Sequence, residues 1–240
     1  IGLYIQNGSA WRIIQYTNGQ HRDPSAWYHV VVAVDTTQAS ASLGCKIYVN
    51  GILQSLNPSG AYWVQNTSVQ FNNTCAHQIG YATAFASNGG GYNGYFDGYL
   101  AEVNWIDGQQ LTQYSFGNFD PNGLWKPLKY IGSYGTNGFY LKFTDNTALT
   151  TASNAGLGKD FSTNTNYWVT NNFSIAANSS NDSMIDTPTP YSDGNKNRGN
   201  YATFNPLENT TPFGAVYVLC PSISVSTSIL FVMLFSINRI

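Results

Sequence analysis

Apolar and polar positions alternate with period two along much of the first 145 residues. In "WYHVVVAVDTTQASASLGCKIYVNG" (27–51), Tyr28, Val30, Val32 and Val34 share one face, and His29, Val31 and Ala33 share the other. Ile47 and Val49 likewise oppose Lys46, Tyr48 and Asn50. This is the period of strands with at least one buried face, and Asn50-Gly51 supplies the positive φ angles of a tight turn into Ile52-Leu53. Val30, Val32, Val34, Ile47 and Val49 are the predicted core. In "YLAEVNWID", Tyr99, Ala101, Val103 and Trp105 fall on one face, and Leu100, Glu102, Asn104 and Ile106 on the other. In "NGFYLKFTD", Phe139, Leu141 and Phe143 oppose Tyr140, Lys142 and Thr144. Asn-Gly recurs at Asn7, Asn18, Asn50, Asn88, Asn93, Asn122 and Asn137, each near a strand-like run. Long helical periodicity is absent; the one helical suggestion is "LTQYSFGNF", with Thr112 as cap and Gly117 as stop. Short strands separated by turn signals predict an all-β, antiparallel two-sheet sandwich or jelly roll.

Between the last two strands, "FDPNGLWKPLKYIGSYGTNG" is dense in Pro and Gly and reads as a connection crossing the surface. After Thr144 the composition shifts to Asn, Ser and Thr, and "DTPTPYSDGNKNRGN" reads as an exposed linker. The expected organisation is a β unit over 1–130, a β-rich extension over 131–187 that completes it or opens a second one, and a linker with a C-terminal segment over 188–240. The stretch Ala215 to Ile237 is uncharged and contains "SILFVMLFSI". Its length suffices for a membrane span. Pro221 and repeated Ser and Thr interrupt it, which favours a buried strand pair, and an out-of-frame end is a third reading. The chain opens on a strand pattern without Met or a signal-peptide pattern, which reads as a fragment or processed product.

Composition changes what the surface can do. Hydrophobic residues make up 42% and aromatic residues 15%, so a sizeable core is available, but charged residues make up only 9%, against about 25% in an average soluble domain. The surface is therefore covered by neutral hydrogen-bonding groups. Net charge is −2, and ten Lys and Arg are scattered; without a basic stripe, a nucleic acid partner is not expected. Cys45, Cys75 and Cys220 have no metal-ligand spacing. Cys45 and Cys75 pair only if their strands are neighbours; buried free thiols are the plainer alternative.

The stretches "DPSAWYHVVVAVDTTQ", "KIYVNGILQ", "HQIGYA" and "FDGYLAEVNWIDGQQLT" resemble the laminin-G-like, concanavalin A-like lectin/glucanase superfamily, over Asp23 to about Thr112. The continuation, "GLWKPLKYIGSYGTNGFYLKFTDN…LGKDFSTNTNYWVTNNFS…NDSMIDTPT", is similar to large virion proteins of marine bacteriophages, commonly tail-fibre or other receptor-binding components. The resemblance implies a concanavalin A-like jelly roll with an irregular Asn/Ser/Thr-rich C-terminal extension, in a virion or extracellular setting. It implies other virion subunits and a homo-oligomer as partners, but does not by itself supply a function: recognition of host surface glycan, a purely structural virion module and a cellular secreted lectin or adhesin are the readings left open. The fold hosts lectins, enzymes and inert spacers alike, so function rests on the residues.

Those residues argue against an enzyme. A retaining glycosidase needs two carboxyl groups about 5 Å apart. Glu102 and Glu208 are the only glutamates, and neither has a carboxylate two residues away. No G-x-S-x-G elbow occurs, and His21, His29 and His77 have no special neighbours. Glu102 reads as a structural residue of its strand. Glycan binding uses an exposed aromatic face flanked by neutral polar groups. Two loops carry that chemistry: "NPSGAYWVQNTS", with Tyr62 and Trp63 beside Asn57, Gln65 and Asn66, and "ASNGGGYNGYFDG", with Tyr92 and Tyr95 beside Asn88, Asn93 and Asp97. Tyr62, Trp63, Tyr92, Asn93 and Tyr95 are the candidate glycan residues; closure of the core end is the competing role for Trp63 and Tyr95. Trp27, Trp105, Trp125 and Trp168 read as core or interdomain packing. No cofactor is expected; calcium, which related domains bind in rim loops, stays open because no D-x-D-x-D loop is present.

Overall fold

The computed structural model describes residues 1–7, 10–21, 26–58, 62–67, 77–82, 94–96, 98–145, 147, 153–171, 173, 175 and 229–237. Among them the protein is all-β. Helix is confined to one turn at Ala41–Gly44 and a 3-10 turn at Gln113–Ser115. The latter lies where "LTQYSF" suggested it, but Thr112 makes no side-chain cap hydrogen bond.

The strands are β1 (Gly2–Asn7), β2 (Ala10–Tyr16), β3 (Trp27–Val34), β4 (Cys45–Val49), β5 (Ile52–Leu53), β6 (Tyr62–Trp63), β7 (Tyr81–Ala82), β8 (Gly94–Tyr95), β9 (Gly98–Asp107), β10 (Gly117–Phe119), β11 (Trp125–Pro127), β12 (Phe139–Leu141) and β13 (Ile229–Ile237). Six of them form one sheet in the order β12-β9-β13-β3-β4-β5, and β1-β2-β6 form a second. β7-β8 and β10-β11 are separate hairpins. Every pairing is antiparallel. Asn50 (φ 48) and Gly51 (φ 77) join β4 to β5 in a two-residue turn, with Val49 opposite Ile52.

The large sheet is covered on both faces. Tyr28, Val30, Val32, Val34, Ile47, Val49, Val103, Trp105, Phe139 and Leu141 share one core with Ile5 and Ile13 of the small sheet. All five predicted core residues of β3 and β4 are in it. Val31, Ala33, Tyr48 and Ile106 point the other way, into a second core closed by Phe116 and Tyr130. The segment read as a surface connection thus covers a sheet face. It does so with a row of rings: Phe116 stacks on Tyr130, Tyr130 meets Tyr134 edge-on, and Tyr134 stacks on Tyr140, which meets Phe161. Buried phenols need hydroxyl partners; Tyr130 donates to the Ser133 carbonyl and Tyr134 to Asn104 Oδ1. Burial, above all, pushes the Tyr134 and Tyr140 hydroxyls upward in pKa.

The alternation read in "YLAEVNWID" breaks at one point. Val232 pairs with Asn104 but Leu234 with Ala101, so Glu102 and Val103 together face one residue of β13. This β-bulge flips the phase. Leu100 packs into the same core as Val103 and Trp105, rather than sharing a face with Asn104 and Ile106 as the regular pattern predicts. Trp27 corrects another expectation: it is an exposed tryptophan tilted against Tyr99. Cys45 is a buried free thiol whose pKa burial pushes up to about 12; Cys75 lies outside the described residues. Of the C-terminal strand pair, one strand is described: β13, paired on both sides. No described helix is long and apolar enough to cross a membrane.

Both edges of the large sheet are short. At one, Gln54 Nε2 donates to the Ile52 carbonyl. At the other, the buried Asp160 carboxylate accepts from the Tyr140 N–H (2.8 Å), from the Ser162 N–H and Oγ–H (2.8 Å each), and from the Asn166 N–H (2.7 Å). Asn164 and Asn166 tie the same loop to the Gly138 carbonyl. "DFSTNTN" is thus an edge cap that lets 139–168 join the core through Phe139, Leu141 and Trp168.

Two predictions follow from burial. Asp160→Ala strands several N–H donors and should lower unfolding free energy by about 3 kcal/mol or more, read by urea denaturation. His29 lies under Trp125, with burial pushing its imidazole from 6.5 down to about 4 and Nδ1 unpartnered. The unfolded chain therefore binds the extra proton between those values, so stability is complete above pH 6.5 and falls as pH drops toward 4, by up to about 3 kcal/mol. His29→Phe should remove that portion of the acid slope.

Candidate functional site

Of the five candidate residues, Trp63 is the one whose side chain lies among those described. Its indole N–H donates to the Gln38 carbonyl at 3.0 Å, and its six-membered ring lies where a side chain on Gly44 would have to be. Gln65 Nε2 donates to the Thr37 carbonyl, and the Asn66 N–H to the Thr36 carbonyl. Three donors from one loop thus meet three consecutive carbonyls of the turn after β3. That turn is itself held by the Asp35 carboxylate, which accepts from the Thr37 N–H and hydroxyl and from Gln38. Trp63 closes the end of the core, with its indole N–H and the Gln65 amide engaged internally. The backbone of Tyr62 pairs with Ile14, and that of Tyr95 with Tyr81. Tyr92, Asn93, Asn88 and Asp97 lie outside the described residues, and no strand pairing joins β6 to β8.

Glu102 sits at the bulge with φ 52, a left-handed conformation uncommon for a residue with a side chain. Its carboxylate is near enough to the Tyr140 hydroxyl to help push that phenol upward in pKa, after burial, and its own carbonyl accepts from Asn104 Nδ2. The residue therefore joins the bulge to the aromatic row. At the outer end of that row, Lys142 and Lys159 place their ammonium groups 4.9 and 5.0 Å from the Phe161 ring, and Lys159 also pairs with Asp145. Among the described residues, no group of three or more His, Cys, Asp and Glu side chains could hold a metal ion.

A different surface carries exposed aromatic chemistry. Trp125 of β11 lies against the turn at Gly51 and the start of β10 at Gly117: side chains at either glycine would penetrate its ring. Gly51 has no alternative, since its φ is 77° as well. The buried side of Trp125 meets His29 at 5.5 Å; on its flanks are Phe119 at 5.0 Å, edge-on, and Tyr114 at 6.4 Å. Tyr114 is 60% exposed and Phe119 40%. The hairpin turn between β10 and β11 is fixed by Asp120, whose Oδ1 accepts from the Asn122 and Leu124 N–H groups and whose Oδ2 pairs with Lys126 at 3.2 Å. The backbone hydrogen bond from Leu124, then Lys126 and Asn122, holds this carboxyl below its ordinary value against a smaller opposing effect of desolvation. Asn122 stands exposed in this turn, while Asn118, opposite Lys126, alternates to the other face of the hairpin from Phe119 and Trp125. Sequence reasoning passed over this site because Pro121 and Pro127 marked the segment as a connection. The signal was Asn122-Gly123 between Phe119 and Trp125, an Asn-Gly turn flanked by aromatic strand residues.

Comparison with protein-family models, with curated proteins and with solved structures returns no match to this chain.

The packing of Trp63 has a measurable consequence. Trp63→Ala removes a half-buried ring and its hydrogen bond to Gln38, so stability should drop by about 2–4 kcal/mol, read as a lower melting temperature.

Proposed function

We propose that the chain is a non-enzymatic module of a virion appendage, a concanavalin A-like jelly roll that recognises neutral glycan. The observation carrying the recognition is the Tyr114–Trp125–Phe119 surface: two exposed rings held by a third that is wedged against Gly51 and Gly117, so little side-chain freedom is lost on binding. The exposed, neutral Asn122 lies in the adjoining turn, and the ion pair there, Asp120–Lys126, is internally matched. The all-β architecture and the resemblance of 23–112 support the fold assignment. The absence of a second carboxylate beside either glutamate in the sequence, and the closeness of Glu102 to the Tyr140 hydroxyl, support a binding role over hydrolysis.

A second reading has its own observation. Leu124, Leu128 and Ile131, near the same hairpin in sequence, are 62%, 50% and 93% exposed. Aliphatic groups suit a protein interface better than a sugar. In that reading the module is structural, and this face meets a neighbouring subunit.

Glycan-array screening followed by calorimetry separates them. Tyr114→Ala and Phe119→Ala should each weaken sugar binding by about 1–2 kcal/mol with little change in melting temperature. Affinity should barely change with added salt, since few charges take part. Tyr92→Ala, titrated alongside, reads the alternative platform of Tyr92, Asn93 and Tyr95. No sugar bound by the parent, with Leu124→Asp and Ile131→Asp abolishing assembly, would establish the structural reading instead.

A further inference from the structure

β3 and β9 are the two long strands at the centre of the large sheet, yet neither pairs with the other: β13 lies between them. Residues Ile229 to Ser236 run antiparallel to Val34 through Trp27, and Ile229 to Ile237 run antiparallel to Asp107 through Gly98, with the single bulge. Remove β13 and the sheet separates into β12-β9 and β3-β4-β5, each with an open edge. The strand that bridges them carries no charge, "ILFVMLFSI", and 53 residues (176–228) separate it from Ile175. Everything else in that sheet comes from the first 141 residues.

The order of assembly follows from this separation. One wall of the slot, β3-β4-β5, is a run of consecutive hairpins, and the other, β9-β12, closes over residues 108–138. The filler joins through a longer connection, whose closure cost rises as (3/2)RT ln n. Until it is filled, the slot exposes unpaired backbone on two apolar strands, and an identical strand from another copy satisfies it equally well. The contacts made are the same; connection entropy and local concentration decide whose strand enters.

We propose that the slot between β3 and β9 is a strand-acceptor site and that assembled copies of this chain exchange β13, each filling its neighbour's sheet. The inference is independent of the glycan reading, because it concerns only what joins the copies.

Register partners make it testable in the full chain. Ala33 lies opposite Leu230. Full-length Ala33→Cys and Leu230→Cys chains, each with Cys45, Cys75 and Cys220 replaced by Ala, are denatured and reduced, mixed, refolded together and oxidised, then run on a non-reducing gel. Exchange gives a linked dimer of twice 26.3 kDa that contains one chain of each kind. Each variant refolded alone, and Leu230→Cys mixed with a chain carrying Thr163→Cys at an exposed position, should give none. The Ala33→Cys/Leu230→Cys double variant in the same background, refolded alone at high concentration, should form linked dimers and larger species. Disulfide closure confined to single chains of the double variant, with no dimer in the mixture, would overturn exchange. No disulfide in either sample would remove β13 from the slot, and the proposal with it.

Discussion

Burial of β3 on both faces is the constraint from which the rest of the architecture descends. From Tyr28 to Val34 every side chain is buried, so neither phase of the strand can be polar without a partner. A sheet solvated on one side needs a single cover; this one needs two. The small sheet supplies the inner cover through Ile5 and Ile13, and 111–134 supplies the outer one through Phe116 and Tyr130. His29 is the exception that tests the rule. It is held neutral by burial, under a tryptophan, because the outer cover leaves it no water.

The two covers solve the same problem with different chemistry. The inner core is aliphatic and aromatic side chains in contact. The outer one brings Tyr130 and Tyr134 beside Leu111 and Phe116, and each phenol brings a polar tip that has to be placed. Ser133 and Asn104 do this from loop and strand positions that otherwise present polar groups to a hydrophobic layer. A chain with 9% charged residues builds its buried polar network from neutral donors, with two carboxylates, Glu102 and Asp160, at the junctions.

What was legible in the sequence was local. The faces of β3 and β4 follow from period two, and the turn between β4 and β5 from Asn50-Gly51. The bulge at Glu102 was not legible, because "YLAEVNWID" alternates cleanly and only pairing with β13 reveals the extra residue. The roles of Trp63 and Gln65 were equally hidden: an aromatic flanked by amides reads the same whether it faces a sugar or the carbonyls of Thr37 and Gln38. The Trp125 surface was missed for the opposite reason, since two prolines outweighed a visible Asn-Gly turn. An apolar C-terminal run favoured a strand, but its central position depends on partners more than a hundred residues away, which no window of sequence contains.

The short, capped edges of the large sheet bear on what the molecule can become at high local density. Tyr140 has its N–H taken by a carboxylate and its carbonyl by the Phe161 N–H, and the other edge is two residues long. Lateral growth, strand upon strand, therefore finds no template at either end. Packed side by side, copies of this chain have no ready means of running the large sheet edge to edge across a molecular boundary.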